Sequence, residues 1–179
     1  MIEAAREQAH STSLVGLSNQ ELRDKYQNLD IENEEFVPVI WRGIIFPRYT
    51  ISKYGNIIGP AGRKLLWGKR DNRFTGIKAN VCFTWEGILI EDGFEYNKHK
   101  KIVMQVHRLV AETFLQFPEY LPEVLKEDWK VISKATQSLI RDCLQVDHKD
   151  GNPWNPRWDN LKWMTPKDNT RSYQASKYE

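Results

Sequence analysis

The last 37 residues carry a local order of structure that leaves few alternatives. Cys143-Leu144-Gln145-Val146 is a short apolar run that ends in Asp147-His148 and meets Lys149-Asp150-Gly151-Asn152, whose Asp-Gly pair favours a turn. Leu161-Lys162-Trp163-Met164 alternates as a second strand, and Thr165-Pro166-Lys167-Asp168 has the signature of a helix start. Thr165 stands as N-cap, Pro166 at the first helical position and Asp168 at the third. The expectation is strand, loop, strand, helix.

This order decides which side chains can meet. Adjacent strand residues point to opposite faces, so Asp147 and His148 share a cleft only where the strand ends, and the turn supplies that end. Asn169 falls on the first turn of the helix, able to face the strand end that holds Asp147. A carboxylate oxygen and an amide carbonyl are hard ligands, suited to a Mg²⁺ ion that keeps waters and takes further ligands from phosphate. A neutral histidine, with pKa near ~6.5, can take a proton from an attacking water. The chemistry these residues predict is metal-assisted hydrolysis of a phosphodiester.

Charge locates a surface for such a substrate. The chain of 179 residues has a formal charge of only +2, but the charges are segregated. Residues 1–40 carry 3 basic and 8 acidic side chains, whereas residues 41–110 carry 13 basic and 5 acidic. The middle of the chain is therefore the expected polyanion-binding lobe, with salt-dependent affinity through counterion release. Within it Arg42, Arg48, Lys53, Arg63, Lys64, Lys69, Arg70 and Arg73 are the candidate DNA-binding residues. The acidic head could shield this lobe intramolecularly.

Other function classes recede. Two cysteines, Cys82 and Cys143, without a CxxC pair argue against a disulfide framework and a structural zinc site. No apolar run approaches the ~20 residues of a membrane span and no secretory segment opens the chain, so a cytoplasmic protein is expected, in the host cell if phage-encoded. Nothing points to a small-molecule substrate.

Along the chain, Ser18 with Glu21 three residues on predicts a short, peripheral, solvated helix to about Leu29. From Phe36 the sequence reads as short strands and tight turns, with Gly55-Asn56 allowing a hairpin, Asp92-Gly93 marking another turn, and further strands at Asn80–Trp85, Ile88–Ile90 and Lys101–Val106. At His107 the period changes: Leu109, Val110, Thr113 and Phe114 fit one helix face that Pro118 limits. After Pro122, Leu125, Trp129, Ile132, Leu139 and Cys143 recur at helical spacing, as one long helix or a broken pair. Trp154, Trp158 and Trp163 read as core and loop anchors.

The C-terminal stretch resembles the HNH, or ββα-metal, nuclease family, and most of all its phage-type homing endonucleases, in which asparagine replaces the final histidine. Asp147-His148 matches the first element of the motif, Asn160 the central asparagine and Asn169 the last. The resemblance implies Asp147 and Asn169 as metal ligands and His148 as general base, with Asn160 bracing the loop and orienting the histidine. Val106-His107-Arg108-Leu109-Val110-Ala111 with Phe114 is similar to the helix that precedes the nuclease unit in these proteins. Trp41-Arg42-Gly43-Ile44, Tyr49-Thr50-Ile51-Ser52 and Tyr54-Gly55-Asn56-Ile57 are similar to the β-rich DNA-binding module often fused ahead of it. The stretch at 118–144 departs from the family, whose members join helix and Asp-His strand by a short linker. Many relatives also carry a C-terminal helix-turn-helix, whereas this sequence stops at Glu179.

The expected fold is α+β, in four parts. Residues 1–35 form an acidic extension with a short helix, 36–104 an antiparallel β-rich basic DNA-binding module, 105–144 a helical connector and insertion, and 145–179 the HNH unit. The expected function is a Mg²⁺-dependent endonuclease on double-stranded DNA, with Mn²⁺ able to substitute, acting as a monomer or weak dimer and leaving 3′-hydroxyl and 5′-phosphate ends. The competing expectation is a DNA-binding accessory or repressor that keeps a silent HNH scaffold.

Overall fold

The computed structural model describes residues 18–27, 33–72, 76–85, 89–91, 94–96 and 100–176. Arg73 and the Asp92-Gly93 turn lie outside them, as does most of the acidic extension. The first element, helix α1 (Asn19–Gln27), starts as its sequence predicts. Ser18 Oγ accepts from the Glu21 amide at 3.3 Å and the Glu21 carboxylate accepts from the Ser18 amide at 2.7 Å, a reciprocal capping box. Its far end is not peripheral. Tyr26 and Gln27 are buried, because the Gln27 side chain donates to the Leu65 carbonyl and Lys64 donates to the Gln27 carbonyl.

Strands β1 (Phe36–Trp41), β2 (Ile44–Ser52) and β3 (Ile57–Ile58) form an antiparallel sheet in that order. Arg42 and Gly43 join β1 to β2 with φ of 50° and 76°, the two positive angles of a tight hairpin turn. Pro38 sits on edge strand β1, where its missing N–H costs no ladder bond, next to a register shift before Val39. Gly55 turns β2 into β3 with φ of 83°.

A second antiparallel sheet, in the order β4-β5-β8, is made by β4 (Gly68–Asn72), β5 (Gly76–Trp85) and β8 (Lys100–Gln105). Strands β6 (Leu89–Glu91) and β7 (Phe94–Tyr96) pair with each other. All the described strands of residues 36–105 thus pair antiparallel, and with the helices that follow the class is α+β.

Strand β8 runs directly into helix α2 (Val106–Phe114), the centre of the molecule. Seven of its nine residues are buried, including His107, Glu112 and Thr113. It contacts β1, β5, β8 and both strands of the C-terminal unit, so it has no solvent face to spare. Leu109 and Val110 are fully buried there, each worth about 1.5–3 kcal/mol.

The stretch after Pro122 is a broken pair: α3 (Glu123–Lys126) and α4 (Lys134–Cys143). Ser133 caps α4 by accepting from the Thr136 amide at 3.1 Å, which explains why a new helix starts there. Trp129 faces the core, and Phe117 packs between Trp129 and Trp163 at centroid distances of 5.2 and 5.1 Å. Leu139 and Cys143, expected on the packed face, are exposed, since α4 buries none of its residues.

Strand β9 (Gln145–His148), strand β10 (Leu161–Met164) and helix α5 (Pro166–Ser176) complete the chain in the expected order. Thr165 Oγ1 accepts from the Asp168 amide at 3.2 Å and donates to the Asp168 carboxylate at 2.7 Å, so the cap is double. Among the described residues no helix is long and apolar enough to cross a membrane.

Arg108 ties these parts together. It pairs with buried Glu112 at 2.7 Å, donates to the Leu144 and Arg141 carbonyls at the end of α4, and lies 4.7 Å over the Trp163 ring. Removing one partner of a buried pair leaves an uncompensated charge, so Arg108→Ala should cost about 3–5 kcal/mol in denaturant unfolding. A loss under 1 kcal/mol would mean that the pair contributes nothing to the fold.

Candidate active site

The site is built where β9 ends. Asp147 and His148 are its last two residues, and the register sets Asp147 opposite Lys162 and His148 opposite Leu161. Gln145 and Asp147 share one strand face by the two-residue period. Helix α5 packs on both strands, and Asn169 Nδ2 donates to Gln145 Oε1 at 2.6 Å. Asn169 is therefore held against the strand face that carries Asp147. With its amide N–H₂ given to Gln145, the Asn169 carbonyl is the atom left to accept.

Asp147 already faces a cation, since Lys162 Nζ lies 3.4 Å from its Oδ2. A divalent ion at this carboxylate would have to displace the half-exposed ammonium, since two cations at one oxygen repel, and would find the hard oxygen donors it takes in Asp147 and the Asn169 carbonyl. Among the described residues no group of three or more His, Cys, Asp or Glu side chains comes together. An ion at Asp147 and Asn169 would thus draw its remaining ligands from water and phosphate oxygens.

Asn160 lies where the resemblance expects a loop brace. Its Nδ2 donates to Asp150 Oδ1 and to the Asn155 carbonyl, both at 2.9 Å, and its Oδ1 accepts from the Asp150 amide at 3.1 Å. Its own carbonyl accepts from the Lys149 amide at 2.7 Å, immediately after His148. Asn160 thus contacts the loop that fixes where β9 ends and touches the residues following the histidine. Asp150, not foreseen in the sequence, is the centre of this network: its carboxylate also accepts from the Asn152 amide at 2.8 Å and Asn155 Nδ2 at 2.7 Å. Gly151, with φ of 70°, closes the turn.

The β module docks on this loop through the β2–β3 turn. The Trp158 amide donates to the Lys53 carbonyl at 2.9 Å, Lys53 Nζ lies 5.1 Å over the Trp158 ring, and Arg157 lies 5.2 Å over Tyr54. A Cβ on Gly55 would come within 2.7 Å of Pro156, so glycine is required here by close approach as well as by φ. Helix α1 reaches the same loop. Burial pushes the Tyr26 hydroxyl above the ordinary tyrosine range, with Asp150 adding to the shift, while Asn152 bonding and Arg157 pull the other way. Tyr26 therefore keeps its proton, and the docking its full stability, until pH rises past the ordinary tyrosine pKa of about 10.

The candidate DNA-binding residues fall into distinct settings. Arg42 occupies the β1–β2 turn and pairs with Asp142 of the insertion at 3.5 Å. Arg48 is exposed on β2, and Arg63 is exposed between β3 and β4. Lys53 lies over Trp158, and Lys64 caps α1, so both have structural contacts of their own. Lys69 and Arg70 stand on β4.

Two contacts of the site are not foreseen from the sequence, although His107 itself matches a family position there. His107 packs against His148 with ring centroids 4.9 Å apart at 62°. No local pattern could signal a contact across 41 positions. Gln145 was legible in principle, because it lies two residues before Asp147 on the same face. Asn160→Ala removes three side-chain hydrogen bonds around a partly buried carboxylate and should lower stability by about 2–3 kcal/mol in urea unfolding. A variant as stable as the parent would contradict the bracing role.

Residues 140–171 match a protein-family model described as HNH endonuclease. No curated protein matches the chain. Among solved structures, one titled "DNA binding and cleavage by the HNH homing endonuclease I-HmuI" is similar at 26% identity and a TM-score of 0.42, covering 72% of this chain and 53% of that one. The chain thus spans about half the length of that relative. By its matched sequence, and by its order of strand, loop, strand and helix, the segment 140–171 is an HNH endonuclease unit.

Proposed function

We propose that the chain is a divalent-metal-dependent DNA endonuclease of the phage homing or free-standing nicking type. The observation that carries this reading is the Asn169 to Gln145 bond of 2.6 Å, which holds an amide against the strand face of Asp147 while His148 follows on the chain. Asp147 and Asn169 would hold Mg²⁺, or Mn²⁺ in its place. When bound, the ion neutralises the scissile phosphate and stabilises the departing oxygen.

The remaining steps belong to the protein's own groups. His148 accepts the proton of a water as that water's oxygen bonds to phosphorus. The bond from phosphorus to the 3′ oxygen breaks, and that oxygen takes up a proton, leaving 3′-hydroxyl and 5′-phosphate ends. Lys162, half exposed beside Asp147, can turn from the carboxylate to a phosphate oxygen. The basic lobe of residues 41–110 would hold double-stranded DNA, with Arg48 and Arg63 best placed by exposure and Lys69, Arg70 and Arg73 extending the surface by sequence. One site per chain favours a nick by a monomer, and a break in both strands would need a weak dimer or two binding events.

Supercoiled plasmid with Mg²⁺ should be converted to open circles, with no conversion in EDTA. His148→Ala should slow the reaction by about 10²–10⁴-fold. If wild type and His148→Ala are equally inert while both retard DNA in a gel, the chain is a binding protein on a silent scaffold instead.

A further inference from the structure

We propose that His107 is a positioning residue that sets the ring orientation of His148; the inference rests on the nuclease reading above. The two rings meet edge to face, with centroids 4.9 Å apart and planes at 62°. This is the geometry in which the positive edge of one ring faces the electron-rich face of the other. His107 is only 4% exposed and occupies the first turn of α2, the most enclosed helix of the molecule. A side chain in that place has little freedom of its own and can lend fixity to a neighbour.

His148 stands where such fixity matters. It is the final residue of a four-residue strand and precedes a turn, so its backbone is anchored from one side chiefly by β10 and from the other by the Asn160 brace. Packed against it in this way, the buried His107 ring restricts rotation of the imidazole side chain. A general base misplaced by ~1 Å can lose about 10²-fold in rate, so holding the ring is worth as much as supplying it.

The support is also coupled to the DNA-binding lobe. At the other end of α2, Thr113 Oγ1 accepts from the Ile40 amide of β1 at 3.1 Å, and Glu112 accepts from the Arg42 amide in the β1–β2 turn. One rigid helix therefore grips the basic hairpin with its last turn and His148 with its first. Rotation of the hairpin on DNA would be transmitted to the base through His107.

The test combines cleavage with a readout that needs no cleavage. Single-turnover nicking by saturating protein with Mg²⁺ is measured for wild type, His107→Ala and His107→Phe, with affinity for a 30-base-pair duplex read in EDTA. His107→Ala should slow the step by about 10- to 100-fold with duplex affinity unchanged, and His107→Phe, which keeps a ring edge, should recover most of the rate. Histidine-labelled protein without metal should give a cross-ring nuclear Overhauser effect between His107 and His148, and a single ordered His148 ring that becomes averaged in His107→Ala. Wild-type nicking rates in His107→Ala overturn the proposal. So does a His107→Phe protein that melts like wild type but cuts as slowly as the alanine variant. If wild type cuts no DNA, the nuclease reading falls. The ring order of His148 then decides the positioning claim alone, being lost in His107→Ala if the claim holds and unchanged if it does not.

Discussion

One buried carboxylate holds the first β-hairpin and the C-terminal insertion to the same helix. Glu112, near the end of α2, takes the Arg108 guanidinium at 2.7 Å and the backbone amide of Arg42. Arg42 has φ of 50°, a conformation that non-glycine residues adopt at some cost, and the bond from Glu112 helps to hold it. Arg108 in turn closes the end of α4 and covers Trp163. An ion pair in such a position contributes less to net stability than to arrangement, because desolvation offsets much of its attraction. What it fixes here is the angle between the basic hairpin and the nuclease strands.

A second junction reinforces the first. The β2–β3 turn rests on the loop after Asn152, through the Trp158 amide and the close approach of Gly55 to Pro156. With contacts on both α2 and this loop, the β module is a wall of the site rather than a tethered neighbour. On the proposed function, a DNA-binding surface joined in this way to the strand that carries His148 would transfer binding energy from distant phosphates into placement of the scissile one. The insertion at 118–144 takes part through Arg42 with Asp142 and Arg141 over Phe117, so it acts as packing beneath the hairpin turn.

The legible parts of the sequence were those whose cause is local. The double cap at Thr165 and Asp168, the turn at Gly151 and the alternation of Leu161–Met164 each follow from a few adjacent residues, and together they place Asn169 near β9. The box at Ser18 and Glu21 was readable for the same reason. Long-range contacts were not. Periodicity shows that α2 has an apolar face, but the burial of His107 and Glu112 on its other sides arises from the strands of both β sheets and of the C-terminal unit that pack around it. Lys64 illustrates the limit: charge shows it only as a candidate for DNA contact, and the bond of its ammonium to the carbonyl that ends α1 has no local signal. Tyr26 looked solvated because its helix is polar, yet it reaches the loop of the nuclease unit.

The central claim is that Asp147 and Asn169 form a divalent-ion site at the end of β9. Paramagnetic Mn²⁺, titrated into isotope-labelled protein, reports the place of binding directly through broadening of nearby amide resonances. The account predicts broadening centred on residues 145–149 and 168–170, displaced by excess Mg²⁺ and lost in Asp147→Asn. Broadening centred elsewhere, or unchanged by Asp147→Asn, would contradict it.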